Sequence, residues 1–353
     1  MYRAWGEGAG VKTMGKILIH IIPAIAIGFL VQIILHELGH LIGGLITGWK
    51  FLYLQIYKLI IKREKHRLKI MIVGEVGYRC IMYPISISQG AKLYTMGGCI
   101  MNLISSIVGL LFLVFASVTL VMWLYIWSFF TFGIGLFIMN GIARIEKVCN
   151  DKACSNLLRV DKHSRLCHNA QLIIARHLMN GLSYSEIGEE IICLCPDIAE
   201  NDIEAYQAML EYYYYLDINN HIMMRQALNK IRSRDNISKE LLYSLELELI
   251  YLELLLSLRP LDSLHNNTLL NSVGEKISCY DKNGDIHSLR VRLVYDAYKQ
   301  ESAGNSNIAI EILSKNIEII KKCNCIYEGE KLFCINQLKR VIMTIKDYKA
   351  YAK

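Results

Sequence analysis

Two histidines and a glutamate stand close together in an apolar stretch of the N-terminal half. His36, Glu37 and His40 form the pattern H-E-x-x-H. In a helix, residues four apart lie on one face, so both imidazoles can bind one Zn²⁺ while Glu37 reaches a water in the open coordination position. The spacing therefore predicts metal-assisted hydrolysis, with His36 and His40 as ligands of one zinc ion and Glu37 as the catalytic residue.

The apolar surroundings of this motif add to the prediction. Ionisable side chains in an apolar segment are costly unless they are partnered or functional. A chance match to the pattern is expected in on the order of one chain in a hundred. The alternative interpretation is a relic or a structural polar cluster that holds no metal.

The elements that carry the motif are apolar enough to cross a membrane. Hydrophobic residues make up 53% of the chain, and their excess lies before residue 145. The stretches 17–48, 93–117 and 120–142 carry few charges, and about 20 apolar residues cross the hydrocarbon core. As one helix the first stretch would be about 48 Å long. It must therefore tilt or project, which places the His40 end near one membrane face.

Basic residues indicate which face that is. Nine Lys and Arg residues lie at 49–92, against three before the first stretch, and cytoplasmic loops collect such residues. We therefore expect a multi-pass protein of the plasma membrane, with the lipid bilayer as a partner, the N-terminus outside and everything after the third stretch in the cytoplasm. This topology accounts for the net charge of +7, and no nucleic-acid recognition motif accompanies it.

The remaining pattern predicts a mainly α fold in two domains. Segment 51–73 is rich in aromatic and β-branched residues around a charged turn and predicts a β-hairpin, whereas Gly74, Gly77 and Pro84 predict irregular structure after it. A polytopic helical membrane core with this hairpin would occupy residues 1–154. From 155 to 353 the chain is charged and broken by short turns, which predicts a soluble, solenoid-like domain of antiparallel helix pairs.

Several features of the C-terminal part bear on partners. Segment 241–258 is very apolar but contains three glutamates, so it predicts a buried helix rather than a span. Segments 293–313 and, more loosely, 205–230 resemble tetratricopeptide-type helix pairs, which implies a surface for a peptide or protein partner. A plain helical domain packed beside the membrane part is an equal alternative. The eleven cysteines include two C-x-C pairs without the spacing of zinc modules, so we expect free or buried thiols.

A second motif follows the H-E-x-x-H motif along the chain. The string Ile34-Leu35-His36-Glu37-Leu38-Gly39-His40 precedes the hairpin, and Gly98-x-x-x-Asn102 follows it in the second apolar stretch. In this combination, residues 17–155 resemble the site-two protease family of intramembrane zinc metallopeptidases. The resemblance implies a later asparagine that helps to hold the substrate backbone, and an aspartate after the third span that binds the metal.

The third ligand is expected shortly after the third apolar stretch. Catalytic zinc sites usually have three protein ligands and a water. Asp151 is the first aspartate there and lies on the expected membrane side, so it is the predicted ligand; Glu146 and Asp161 are the local alternatives. His163 and His168 fit an ordinary solvated helix better.

Two asparagines complete the predicted site. The resemblance implies that Asn140 and Asn102 contribute to substrate binding. From the residues alone, Asn140 is equally well explained as the end of a helix, and Asn102 with Gly98 as a close helix contact. Ala143 and Lys152 stand where the family has a proline and a glycine.

Together these features predict a zinc-dependent endopeptidase that cuts a membrane-spanning or membrane-associated peptide near the cytoplasmic face. The hairpin edge could pair with an extended substrate strand, or the hairpin could serve only as an anchor. The alternative function is a catalytically silent membrane scaffold whose C-terminal helices bind a partner, and the departures at Ala143 and Lys152 favour it.

Overall fold

A computed structural model describes residues 7–64, 67–143, 150–231, 236–257, 273–274, 277 and 285–351. These residues are mainly helical and include one two-stranded antiparallel sheet, as the sequence predicts. The chain divides into two compact units, Met1–Arg165 and Leu166–Lys353. The boundary expected after residue 154 falls inside the helix Asp151–Val160, which packs within the first unit.

Three long helices form most of the first unit: α1 (Glu7–Ile46), α2 (Lys92–Phe115) and α3 (Leu120–Gly141). Within the described part of the chain, Ile17–Ile46 of α1 and the whole of α2 and α3 are long and apolar enough to cross a membrane. These segments agree within a few residues with the three predicted stretches. Their surfaces expose large apolar side chains such as Ile19 and Phe115, as expected of helices that meet hydrocarbon instead of water.

Glycines bring α1 and α2 into backbone contact. A Cβ atom on Gly39 would lie 2.3 Å from the carbonyl oxygen of Gly97, and one on Gly43 would lie 2.2 Å from that of Leu93. Small residues allow such close approach between apolar helices. The face of α1 that carries His36 and His40 is consequently pressed against α2.

The hairpin consists of β1 (Lys50–Glu64) and β2 (Arg67–Tyr83), paired from Lys50 with Tyr83 to Glu64 with Arg67. The predicted hairpin is confirmed, but the irregular structure expected from Gly74 to Gly77 is wrong, because these residues continue β2. Glycine inside a strand often marks a bulge or a close approach. Here Gly77 pairs with Tyr57, which has a positive φ of 60° beside a register shift.

The base of the hairpin is fixed to α2 by aromatic side chains. The Trp49 ring stacks on Tyr94 at a centroid distance of 4.6 Å, and its Nε1 donates to the carbonyl of Gly90. The Tyr94 hydroxyl donates to the carbonyl of Cys80 in β2 at 2.9 Å. The same turn of α2 therefore holds both strands.

The last helix of the first unit is α4 (Asp151–Val160), which packs on α2 and α3. The chain continues as α5 (Lys162–Met179), a 3₁₀ turn (Tyr184–Glu186), α6 (Glu189–Ile192), α7 (Asp202–Asp217), α8 (His221–Asn229), α9 (Lys239–Ser257), α10 (Ile286–Ser302), α11 (Ser306–Lys322) and α12 (Glu328–Tyr351). In the second unit α7 packs on α8, α10 on α11 and α11 on α12. Helices adjacent in sequence thus pack together, while the solenoid-like arrangement stays a prediction.

The described part of the apolar segment, residues 241–257, lies in α9, and its apolar side chains Leu245, Ile250 and Leu254 are buried in the core of the second unit, as predicted. Its Glu248 accepts hydrogen bonds from Arg290 at 2.5 and 2.6 Å and from the Tyr213 hydroxyl at 3.1 Å. Glu248 and Arg290 are both buried. A paired charge of this kind is compatible with a protein core and costly in lipid.

Candidate metal centre

Three predicted ligands converge at one point in the first unit. The Nε2 atoms of His36 and His40 lie 3.2 Å apart. Asp151, the first residue of α4, places its Oδ2 atom 3.1 Å from Nε2 of His36 and 3.5 Å from Nε2 of His40. In the described part of the chain this is the cluster of histidine, cysteine and acidic side chains that could hold a metal ion.

Asn150 fixes the position of Asp151 beside the two histidines. Its Oδ1 accepts a hydrogen bond from the backbone N–H of Ala153 and so caps the first turn of α4. Its Nδ2 donates to the carbonyl oxygens of Met139 and Ile142 at the end of α3, at 2.8 and 2.6 Å. One side chain therefore ties the start of α4 to the end of α3 and fixes where the next residue points.

The hydrogen bonds of Asn102 set the tautomer of His36. The Nδ2 group of Asn102 donates to the backbone carbonyl of Gln32 at 3.0 Å, so its Oδ1 faces Nδ1 of His36, 2.5 Å away. An amide oxygen only accepts, which places the imidazole proton on Nδ1. The Nε2 atom of His36 then presents a lone pair.

His40 is held in the same way by backbone. Its Nδ1 lies 2.7 Å from the carbonyl oxygen of Tyr94, which can only accept. The proton is again on Nδ1 and the lone pair on Nε2. Histidines that bind metals commonly donate their second ring nitrogen to a carbonyl or another acceptor in this manner.

These tautomers leave two imidazole lone pairs and a carboxylate oxygen facing one another. Such atoms repel unless a proton or a metal ion lies between them. Burial alone would raise the pKa of Asp151, but when a proton lies there, hydrogen bonds and charge interactions with His36 and His40 outweigh burial and hold that pKa well below its ordinary value. Asp151 is therefore a carboxylate at neutral pH.

The spacing of the three atoms fits a tetrahedral zinc ion. Ligand atoms about 2.0–2.1 Å from a tetrahedral centre are separated from one another by about 3.3 Å. The observed separations are 3.1, 3.2 and 3.5 Å. Two imidazoles and a carboxylate also leave one tetrahedral position open, as catalytic zinc sites do. The residues present thus fit the metal that the motif predicts.

Gly98 provides the room for the two imidazoles. A Cβ atom built on it would lie 2.6 Å from Nε2 of His36 and 2.6 Å from Nε2 of His40. The neighbouring Cys99 is fully buried, and its thiol donates to Oδ2 of Asp151 at 3.5 Å. One turn of α2 therefore touches all three predicted ligands.

Glu37 is buried beside this cluster at 7% exposure. Its carboxylate is close enough to His36, His40 and Asp151 to interact with their charges, and it accepts a hydrogen bond from the backbone of Cys80 in β2. Burial and the nearby Glu37 carboxylate raise the pKa of the Cys80 thiol to about 12. The Cys80 thiol is thus neutral and lies beside Glu37 where β2 reaches α1.

The other predicted residues occupy different places. Asn102 is fully buried and contacts the predicted ligand His36. Asn140 is half-buried in the last turn of α3. The role of both residues in substrate binding stays a prediction. Glu146 lies outside the described residues. Asp161 accepts hydrogen bonds from the backbone N–H groups of His163 and Ser164, so it serves the start of α5 instead of the metal cluster.

The two histidines that the sequence assigns to an ordinary helix, His163 and His168, are not part of the cluster. His163 is exposed on α5, and Nδ1 of His168 lies 3.3 Å from Oδ1 of Asn169.

Comparison with known proteins yields no match: no family model, no curated protein and no solved structure matches the chain. The interpretation of the site therefore depends on its residues and geometry.

Proposed function

We propose that this protein is a zinc-dependent intramembrane endopeptidase similar to the site-two proteases. The observation that carries the proposal is the convergence of Nε2 of His36, Nε2 of His40 and Oδ2 of Asp151 at separations of 3.1–3.5 Å. Both histidines have their second ring nitrogen engaged by an acceptor. This arrangement is what a catalytic zinc site with one open position requires.

The proposed hydrolysis uses a metal ion and the side chain of Glu37. A bound zinc ion lowers the pKa of a water and polarises a peptide carbonyl. Glu37 accepts the proton of the attacking water and then passes it to the leaving amine. Its burial beside the cluster keeps bulk water from competing for that proton.

The location of the site favours a substrate in or at the membrane. His40 lies six residues before the end of α1, about 9 Å along the helix axis, on a segment that is long and apolar enough to span a bilayer. By the distribution of basic residues this end faces the cytoplasm. We expect a membrane-spanning or membrane-associated peptide to be cut near that face, after its helix has unwound to expose a carbonyl.

The test combines metal analysis with one substitution. The full-length protein is purified in detergent, its zinc content is measured, and cleavage is assayed against a library of fluorogenic peptides embedded in detergent micelles. Wild type should hold one zinc per chain. Glu37→Gln keeps the size of the side chain but removes the base, so zinc should stay bound while cleavage falls by about 10²–10⁴-fold.

Three outcomes would contradict the proposal. A folded wild-type protein without stoichiometric zinc would support a membrane scaffold instead. Zinc bound without cleavage of any library member by wild type would support a structural metal. Equal cleavage by wild type and Glu37→Gln would remove the hydrolytic mechanism.

A further inference from the structure

Gln32 lies four residues before His36 on α1 and is fully buried. A primary amide in an apolar segment is costly unless its polar atoms are paired. Its Oε1 accepts hydrogen bonds from Nδ2 of Asn102 at 2.9 Å and from the hydroxyl of Ser105 at 3.1 Å, and its Nε2 donates to the carbonyl of Phe129 at 3.0 Å. This single side chain joins all three long apolar helices.

The third helix is shaped to receive this amide. A Cβ atom on Gly133 of α3 would lie 2.6 Å from Nε2 of Gln32 and 2.0 Å from the hydroxyl oxygen of Ser106. Any side chain larger than hydrogen at that position would displace the amide. The space that the Gln32 amide occupies therefore exists because residue 133 has no side chain.

The amide reaches the metal cluster through Asn102. The Nδ2 group of Asn102 donates to the backbone carbonyl of Gln32 at 3.0 Å and to its side-chain Oε1 at 2.9 Å, which leaves Oδ1 facing Nδ1 of His36. Only the second of these two bonds depends on the Gln32 side chain. If Asn102 turned over, its NH₂ group would face His36, and the imidazole proton would move to Nε2, the atom that faces Asp151. An imidazole of that tautomer cannot bind a metal through Nε2.

We infer that Gln32 is a positioning residue of the metal site, which holds Asn102 in the orientation that keeps the Nε2 lone pair of His36 available. The inference rests on the proposed function, since it assigns a role toward the bound metal. The competing explanation is that Gln32 only fastens the three helices, as buried polar side chains do in membranes.

Ser128 offers a matched control. Its hydroxyl donates to the carbonyl of Ala24 at 2.9 Å, and both residues are buried. This hydrogen bond also joins α1 to α3, but its partners do not include Asn102 or the histidines. Loss of a helix-fastening contact can thus be separated from loss of the link to His36.

The experiment compares Gln32→Met with Ser128→Ala in the full-length protein in detergent. Zinc affinity is measured by competition with a chromophoric chelator, Co²⁺ absorption in the visible range reports the ligand geometry, and thermal unfolding of the metal-free protein reports the packing. Removal of a partner beyond the ligands typically weakens metal binding by 10- to 100-fold. We expect about a 10-fold loss with an altered Co²⁺ spectrum in Gln32→Met, and less than about a 2-fold change in Ser128→Ala.

A double-mutant cycle with Asn102→Ala tests whether Gln32 acts on His36 through Asn102. If Gln32 acts through Asn102, Gln32→Met adds no further loss of zinc affinity in the Asn102→Ala background. Should Gln32→Met not fold, Gln32→Asn replaces it, because the shorter amide cannot reach both Asn102 and Phe129, and the same 10-fold loss is expected. Unchanged zinc affinity in a folded variant, or full additivity with Asn102→Ala, would overturn the inference. A wild type that binds no zinc would instead overturn the proposed function.

Discussion

The sharpest prediction concerns Gly98, whose missing side chain makes room for the two imidazoles. In Gly98→Ala the new methyl group would lie 2.6 Å from Nε2 of both His36 and His40. Non-bonded atoms of this kind prefer a separation of about 3.5 Å, so the rings would have to retreat by about 0.9 Å. Metal sites hold their ligand distances within about 0.2 Å. The substitution should therefore weaken zinc binding by at least about 100-fold, or about 2.7 kcal/mol.

The assay measures zinc affinity and zinc content of full-length Gly98→Ala in detergent. Gly135→Ala is the matched control, since a Cβ atom there meets no other atom within 4 Å and α3 is also an apolar helix. The control should bind zinc as wild type does. Thermal unfolding of the metal-free proteins checks that Gly98→Ala is folded. Zinc affinity of folded Gly98→Ala within about 3-fold of wild type would show that the ion does not lie between these two nitrogens.

Three further predictions address the third ligand, the topology and the second unit. Asp151→Ala should lose zinc, whereas Asp161→Ala should keep it although it loses the cap of α5; zinc retained in the first variant would mean that another residue is the ligand. A reporter fused after residue 142 should be cytoplasmic and one fused before residue 16 external, and the reverse result would reject the topology. The fragment 160–353 should be soluble without detergent and should lose stability as the pH falls below about 6.5, by at most about 1.4 kcal/mol per pH unit, because burial lowers the pKa of His287 to about 3. Denaturant unfolding of the fragment and of its His287→Phe variant should show the smaller pH dependence in the variant.

The predicted loss of stability at low pH follows from the surroundings of His287. Its ring stacks on Tyr213 at a centroid distance of 4.5 Å, and its Nδ1 is buried without a hydrogen-bond partner among the described residues. The imidazole is neutral in the folded state, so protons bind preferentially to the unfolded chain as the pH falls from about 6.5 toward 3. Stability from this residue is complete above about pH 6.5 and is lost on acidification.

The spacing of the histidines was enough to predict part of the site, because four residues in a helix always return to the same face. The sequence also predicts Asp151, but only as one of three acidic residues beyond the third helix. The position of Asp151 beside the histidines depends on the hydrogen bonding of Asn150 to the end of α3, a tertiary contact without a local pattern. Gln32 could have been noticed as a polar residue one turn before His36 in an apolar stretch.

The strand continuing through Gly74 and Gly77 was not predictable from local preference. Glycine ordinarily weakens a strand, and composition favours irregular structure there. In the fold, the Gln55 amide donates to the carbonyls of Tyr57 and Glu75 and supports the bulge around Gly77. The conformation of β2 around Gly77 therefore depends on its contacts with β1 and cannot be read from the residues of β2 alone.

The attachment of α4 to α3 through Asn150 also has a consequence for biosynthesis. The histidines are synthesised long before Asp151, yet the carboxylate reaches them only when α3 has ended beside α1 and α2 and presents the carbonyls of Met139 and Ile142. A nascent chain that lacks the third helix has two imidazoles and no carboxylate to complete the site. Under the proposed function, zinc would therefore bind fully only after the third helix is in place, and a chain halted before that point would be unable to cleave a substrate.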